Sequence, residues 1–401
     1  MIFGLFVITL SYGVSFLFPK EIRGSFFIVL SLHALIILFY AYSGVDLIGA
    51  TEDADSFYKH AVERSSDIGN LNWSINSLSN GHDFFKNIHA ILQHYFSGPE
   101  KIISYSTTLL AWSLCALILV KLYLSICQED NKGAIVVTYI YALTPSILIF
   151  NSYLLREVWM SLIIFSIVYL ALKVSSHSKK LLNISLIIFL TLICILLHRY
   201  MVVIIINLLA VILLYDAIDK YTWYPFNNIK LLSYLSVLLI GIFVVFNMEL
   251  DSVKYIFRNG IIGSIDQYMI DLVGGHGDGA PPARTTYGKT FDKGNLFSIV
   301  NVFLSYQFMP YPWKVSSIID LAPLFENFLR GGFVILFIIN RKRLSITQKM
   351  NMDMIFLIWL SVEFIWSVGT INWGTAYRHH TVVYGLLVFV AIASYRNSKI
   401  K

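Results

Sequence analysis

Charged residues are scarce in this sequence. Asp, Glu, Lys and Arg together make up 13% of the 401 residues, whereas a soluble domain contains about 25%. Hydrophobic residues make up 57%, and the mean hydropathy is +0.69. A soluble globular protein is therefore excluded. The composition predicts an all-α fold, a polytopic bundle of transmembrane helices that forms a single membrane domain over 1–401.

Cysteine and the common catalytic motifs are also rare or missing. Cys115, Cys127 and Cys194 lie far apart, without a CxxC or a Cys/His spacing, so neither a disulfide framework nor a zinc site is indicated. The sequence has no G-x-x-x-x-G-K-[ST], G-x-S-x-G or HExxH motif, which argues against a P-loop, a hydrolase nucleophile elbow and a zinc protease. No cofactor is predicted, although a divalent metal would be compatible with the acidic residues described below.

Long apolar segments dominate the chain instead. A spanning helix needs roughly 17–25 apolar residues. Segments near that length lie at about 1–18, 24–42, 103–126, 134–151, 157–174, 181–197, 201–215, 231–248, 321–340, 354–371 and 380–395. The first has no basic n-region or A-x-A cleavage site, so we expect a retained span. A further segment, 296–313, ends in PYPW, and its two prolines favour a re-entrant or interfacial segment.

The basic residues orient these segments. If the N-terminus is outside, the basic connections and the basic C-terminus all face the cytoplasm, as the positive-inside rule requires. The sequence therefore predicts about eleven spans, N-out and C-in, with larger outer loops at about 43–102 and 249–320. Twelve spans, with the N-terminus inside and 296–313 crossing, is the alternative. Nucleic acid is not predicted as a partner, because the basic residues form no single soluble face.

Three arginines interrupt this pattern. Arg156, Arg199 and Arg378 lie in short outer turns, where the positive-inside rule disfavours them unless a ligand needs them. Arginine suits bidentate phosphate binding, so together they predict a polyanionic, diphosphate-linked substrate. For Arg156 the alternative is an interfacial snorkelling side chain paired with Glu157.

Candidates for proton transfer lie beside these turns and in the first outer loop. Asp53 and Asp55 of DADSFYKHA are predicted catalytic residues, as general base or sugar-hydroxyl contact; capping of a helix by Asp53 is the alternative. His379, next to Arg378, is the third predicted catalytic residue. His198, next to Arg199, is a predicted substrate contact, since histidine titrates near neutral pH.

The remaining predicted substrate contacts are His276, Arg284 and Glu326. The first two lie in GGHGDGAPPARTTYGK, which has no apolar period and is interpreted as a mobile lid or substrate-clasping loop. Glu326 lies near the outer end of its span. An ion pair with Arg330, four residues on, is its alternative role.

Several of these stretches resemble bacterial O-antigen and exopolysaccharide polymerases of the Wzy type and, more loosely, the GT-C membrane glycosyltransferases. The matching pieces are DADSFYKHA, LTPSILIFNSYLLREVWMSLIIF, LLHRYMVVIII, QFMPYPW with Glu326, and NWGTAYRHHTVVYGLLVF. The resemblance implies transfer of a growing glycan from undecaprenyl diphosphate to another lipid-linked repeat unit, with outer-face arginines holding the diphosphate. One departure is that the RX10G-like motifs of the family's outer loops are not cleanly present.

The resemblance also implies a bacterial inner-membrane location and an active site facing the periplasm. The partners would be the undecaprenyl-diphosphate-linked glycan, membrane lipid and a chain-length regulator. Two other functions stay open: a GT-C transferase using a polyprenyl-phosphate sugar, and a lipid-linked glycan transporter or flippase. Transport predicts charged residues deep in several spans and helices broken within the membrane.

Overall fold

A computed structural model of the protein describes residues 2–43, 51–71, 73, 82–96, 100–174, 180–198, 201–220, 296–368, 370 and 372–398. Their regular secondary structure is helical, which confirms the predicted all-α class. The chain divides into two compact units. Unit 1 comprises 1–201, 332–351 and 381–401, and unit 2 comprises 202–331 and 352–380. The single domain over 1–401 stays a prediction.

The described α-helices follow one another along the chain. They are α1 Ile2–Val14, α2 Lys20–Ser43, α3 Thr51–Ser65, α4 His82–Tyr95, α5 Lys101–Ile126, α6 Asn131–Leu143, α7 Pro145–Phe150, α8 Glu157–Val174, α9 Lys180–Leu197, α10 Met201–Lys220, α11 Leu296–Phe308, α12 Leu321–Arg341, α13 Ile346–Val368, α14 Trp373–His379 and α15 Thr381–Asn397. Short 3-10 turns lie between some of them.

Four described helices are long and apolar enough to cross a membrane: α2, α5, α12 with its preceding turn, and α13. The bent pair α14 and α15 makes a fifth if it counts as one span. By length and composition these helices agree with the predicted spans at 24–42, 103–126, 321–340, 354–371 and 380–395. A membrane protein is therefore supported, with four to five candidate spans among the described residues, and the predicted total of eleven stays a prediction.

Two predicted spans are shorter or broken in the structure. The segment 134–151 divides into α6 and α7, because Pro145 occupies the first turn of α7 and cannot continue the hydrogen bonding of α6. At the N-terminus, α1 has 13 residues and gives way to a 3-10 turn. The predicted span 231–248 lies outside the described residues.

Residues 296–313 form a short helix followed by an irregular stretch. Helix α11 has 13 residues, which corresponds to roughly 20 Å and is less than the hydrocarbon core of about 30 Å. It ends at Phe308, two residues before Pro310. The described part of this segment is thus shorter than a span, and the re-entrant or interfacial interpretation of 296–313 stays a prediction.

The core of unit 1 forms around α5 and α15. Trp112 of α5 is fully buried and stacks on His33 of α2, with the ring centres 3.8 Å apart. Along α15, all residues from 381 to 394 are buried, as expected of a helix that is apolar on every side. Gly385 allows close packing there, since a Cβ atom would lie 2.7 Å from the ring of Phe165.

One ion pair joins the last turn of α15 to the loop before α6. Arg396 donates from Nε and Nη2 to the two carboxylate oxygens of Asp130, at 2.9 and 2.6 Å. Tyr123 OH and the backbone N–H of Gly133 also donate to Asp130. The hydrogen bonds from Arg396 lower the pKa of Asp130 to about 2. Asp130 therefore caps α6 and holds the C-terminal helix to unit 1.

Candidate functional site

Unit 1 contains a cluster of cations around the ring of Phe57, on α3. The Arg156 guanidinium lies 5.2 Å from the ring centre, and the Lys86 ammonium, from α4, lies 6.0 Å from it. Arg156 is only 5% exposed, and its Nη1 donates to Leu197 O at 3.0 Å. Arg156 is therefore turned into the protein, against the end of α9, and is not a snorkelling surface side chain. Its contact with an aromatic face is of the cation–π kind.

A third cation, Arg64, lies close to this cluster and is paired with a carboxylate. Arg64 donates to Asn87 Oδ1 at 2.7 Å and to Asp83 Oδ1 at 2.6 Å. The pKa of Lys86 is lowered, first by burial and then by the charge of Arg64, with a further contribution from Arg156. The Asp83 carboxylate acts in the opposite direction on the pKa of Lys86 and offsets part of the positive charge. We call Arg64, Lys86, Arg156 and Phe57 the unit 1 cation cluster.

The predicted catalytic carboxylates occupy α3. Helix α3 begins at Thr51, so Asp53 lies inside its first turn and is exposed, and its proposed capping role is wrong. Asp55 accepts a hydrogen bond from Lys101 Nζ at 2.8 Å, which forms an ion pair. The buried face of α3 carries Phe57 and Ala61, as its amphipathic pattern predicts.

The other predicted contacts of this part of the chain are only partly described. His198 directly follows α9 and is half-buried, and its backbone N–H donates to Cys194 O at 3.3 Å. Arg199, His276 and Arg284 lie outside the described residues. Their predicted roles stay predictions.

Unit 2 contains a buried pair of titratable residues. Glu363 of α13 and His380, which follows α14, are each 1% exposed, and Oε2 of the glutamate lies 2.6 Å from Nδ1 of the histidine. Gln307 Nε2 donates to the same carboxylate oxygen at 2.7 Å. His380 Nε2 lies 3.2 Å from Tyr306 O. The pair is therefore held from both sides by α11.

The hydrogen-bond partners determine what this histidine can do. A backbone carbonyl only accepts, so Nε2 of His380 carries a hydrogen and donates to Tyr306 O. Nδ1 and the Glu363 carboxylate then share one further proton, as imidazolium with carboxylate or as neutral ring with carboxylic acid. In this arrangement neither ring nitrogen is available to a substrate. His380 and Glu363 form a structural pair that stores one proton.

Helix α12 caps the C-terminal end of α11. Arg330 Nη2 donates to Gln307 O at 2.6 Å and also to the side chain of Asn327, which donates to Phe308 O at 2.8 Å. These carbonyls lie in the last turn of α11, where backbone acceptors lack partners within the helix. A cation there also complements the helix dipole. The predicted alternative, an ion pair of Arg330 with Glu326, is wrong, because Arg330 binds α11 instead.

Glu326 has a different partner. Its Oε1 accepts a hydrogen bond from Tyr377 OH at 2.9 Å, and its side chain is fully buried. Tyr377 precedes Arg378 and His379 on α14, and Arg378 is half-buried there. Glu326 therefore fixes the helix that carries two of the predicted site residues.

His379 has a defined tautomer. Thr370 Oγ1 donates its single hydrogen to Trp366 O at 2.7 Å, so it accepts from Nδ1 of His379 at 3.2 Å. In the neutral imidazole the basic nitrogen is then Nε2. The His379 ring also stacks on Trp366, with centres 4.1 Å apart, and is 8% exposed. A histidine oriented through one nitrogen, with the other basic, has the arrangement of a general base.

Within the described part of unit 2, some polar atoms are buried without a hydrogen-bond partner. They include Nε and Nη1 of Arg330 and Oε1 of Glu363. Buried polar atoms of this kind require water or a polar ligand. We call Gln307, Glu326, Asn327, Arg330, Glu363, Thr370, Tyr377, Arg378, His379 and His380 the unit 2 polar network.

The structure places Glu326 and His379 among these buried polar side chains, and Arg378 directly precedes His379 on α14. Their roles in a site stay predictions, and the sequence reasoning missed other members of the network. The clearest missed signal is Glu363, the one acidic residue in the apolar stretch 354–368. An ionisable residue inside a candidate span is a functional candidate by default. His380, beside a histidine already chosen, was a second signal.

Among the described residues, no group of three or more His, Cys, Asp and Glu side chains could hold a metal ion. No protein-family model, curated protein or solved structure matches the chain. A functional proposal therefore depends on the geometry of the chain's own residues.

Proposed function

We propose that the protein is a membrane glycosyltransferase that polymerises undecaprenyl-diphosphate-linked oligosaccharide repeat units. The supporting observation is the unit 2 polar network. It joins two of the stretches that resemble Wzy-type polymerases, namely QFMPYPW with Glu326 and NWGTAYRHH. These stretches meet around buried hydrogen bonds such as Gln307 to Glu363 and Tyr377 to Glu326.

In the proposed reaction the acceptor sugar hydroxyl attacks the anomeric carbon of the donor glycan. The bond between that carbon and the diphosphate oxygen breaks, and undecaprenyl diphosphate leaves. His379 accepts the hydroxyl proton at Nε2, the basic nitrogen that Thr370 selects. Arg378 stabilises the negative charge of the leaving group, the kind of contribution that is worth several kcal/mol in a water-poor site.

The unit 1 cation cluster binds an anionic group of a lipid-linked substrate in this proposal. The buried Arg156 is the residue predicted for that role, and Lys86 and Arg64 extend it. The finer topology belongs to the same proposal: eleven spans, N-out and C-in, a GT-C-like fold and an active site facing the periplasm of the bacterial inner membrane. A chain-length regulator is the proposed protein partner.

Deletion of the gene in a host that builds a lipopolysaccharide or capsule tests the proposal. The glycan ladder should collapse to single repeat units, and the wild-type gene should restore it. The His379→Gln variant should fail to restore it at normal protein levels, whereas His60→Gln, an exposed histidine on α3, should succeed. A ladder that lacks one sugar in every unit would instead indicate a GT-C transferase.

Transport is the second candidate, and a specific observation favours it. Glu363 and His380 are a buried carboxylate–histidine pair, and the chain breaks its helix at His380, between α14 and α15. Buried acid and histidine residues carry protons in many transporters, and broken helices form their sites. Accumulation of lipid-linked repeat units at the cytoplasmic face in the deletion strain would support transport and contradict the polymerase.

A further inference from the structure

A cavity of about 500 Å³ opens in unit 1 between the α1–α2 connection and the ends of α5 and α8. Its volume falls within the roughly 300–1,000 Å³ of small-molecule sites. Arg23 belongs to the first turns of α2 and Lys121 to the last turns of α5, and both helices are candidate spans. The cavity therefore lies at one end of the spans, at the depth of lipid head groups.

The lining combines cations with an apolar surface. Three basic side chains, Arg23, Lys121 and Lys173, line the cavity, and no carboxylate is present among the described residues that do so. Three basic side chains around one concave surface concentrate positive charge there, which complements an anion. The remaining lining is largely apolar and aromatic, including Phe16, which is 70% exposed. An anion with an apolar body fits this combination better than a soluble anion does.

Two of the cations are held in place by the protein. Arg23 donates from Nε to Phe18 O at 2.9 Å and from Nη2 to Phe16 O at 2.8 Å. Lys173 Nζ lies 5.7 Å from the ring centre of Tyr169, which also lines the cavity. Preorganised cations bind at lower entropic cost than freely rotating surface side chains. This distinguishes the cavity from a row of snorkelling basic residues.

We propose that this cavity binds an anionic phospholipid, whose phosphate contacts Arg23, Lys121 and Lys173 while its acyl chains lie against Phe16 and the neighbouring apolar side chains. Basic pockets between membrane helices are known to select anionic head groups. The site involves none of the residues assigned to glycosyl transfer and does not depend on that proposal.

Native mass spectrometry of the full chain in detergent tests the site, with phosphatidylglycerol and phosphatidylethanolamine as probes. The protein should retain phosphatidylglycerol preferentially. The triple variant Arg23→Gln, Lys121→Gln, Lys173→Gln should bind it about tenfold or more weakly. A matched triple variant in the basic segment that spans the loop after α12 and the start of α13, Lys342→Gln, Arg343→Gln, Lys349→Gln, should bind as the wild type does.

A single substitution of Lys121 provides a second test of the site in case the triple variant does not fold. Lys121 is exposed and makes no hydrogen bond within the described residues, so Lys121→Glu should fold and still weaken phosphatidylglycerol binding severalfold. Unchanged binding in both variants would overturn the proposal, as would equal losses in the matched triple variant. Equal retention of phosphatidylethanolamine, or displacement of the lipid by millimolar glycerol 3-phosphate, would also overturn it.

Discussion

The Glu363–His380 pair allows a quantitative prediction. Both side chains are 1% exposed and share one proton across 2.6 Å. Removal of one partner from a buried pair leaves a polar group without compensation and costs about 3–5 kcal/mol. We therefore expect Glu363→Ala and His380→Ala each to destabilise the protein by roughly that amount.

The double variant Glu363→Ala, His380→Ala measures the coupling free energy between the two side chains. Hydrogen bonds that involve a charged group are worth about 1.5–3 kcal/mol, so the double variant should be less destabilised than the sum of the single variants by about that amount. Glu363→Gln should cost only about 1–2 kcal/mol, because its amide can donate to neutral Nδ1 if the Gln307 amide turns over.

Reversible unfolding in mixed detergent and dodecyl sulfate measures these differences, and an exposed control, Glu129→Gln, should be neutral. If the single-variant costs add to within about 0.5 kcal/mol in the double variant, the pair is not coupled, and our account of the shared proton is wrong.

Other predictions concern packing, capping and the proposed base. Gly385→Ala places a methyl group 2.7 Å from an aromatic ring and should cost about 1–3 kcal/mol, whereas Gly332→Ala meets nothing within 4 Å in a helix and should be neutral or stabilising; thermal melting compares the two. Because the pKa of Asp130 is lowered to about 2, its contribution is complete above about pH 4 and is lost as the pH falls through about 2; melting curves of Asp130→Asn and wild type should converge there, and a constant gap would refute the ion pair. Thr370→Val should lower polymerising activity and alter its pH profile, because His379 loses its tautomer partner, while Thr370→Ser should restore both; an unchanged profile in Thr370→Val would contradict this role.

Much of the helical architecture could be predicted because it depends on local sequence. The predicted spans at 24–42 and 103–126 correspond to α2 and α5, and their boundaries agree to within a few residues. Each is an uninterrupted apolar run of sufficient length. The break inside 134–151 was missed although Pro145 was visible. Hydropathy is averaged over a window of many residues, so it does not detect a break that one residue causes. Pro145 has no backbone N–H and therefore interrupts the hydrogen bonding of the helix.

The site residues show a similar division. Arg156, Glu326 and His379 could be chosen because charge beside an apolar segment is locally unusual. The partners of these residues could not be predicted, because they are distant in sequence. Glu326 accepts a hydrogen bond from Tyr377 and does not pair with Arg330, although Arg330 is only four residues away along the chain. On an isolated helix the i,i+4 ion pair is worth only about 0.2–0.5 kcal/mol, so a buried tertiary hydrogen bond displaces it easily.

Composition and apolar run length suffice to determine that this chain is helical and belongs in a membrane, because backbone hydrogen bonding in lipid leaves few other solutions for such a sequence. The same features of the sequence locate the charged residues that lie unusually close to apolar segments. Tertiary packing alone decides which nitrogen of His379 is basic, that His380 shares its proton with Glu363, and that Arg330 caps another helix. Protonation and partner choice depend on distances of a few ångströms between helices, and no local pattern in one helix encodes them.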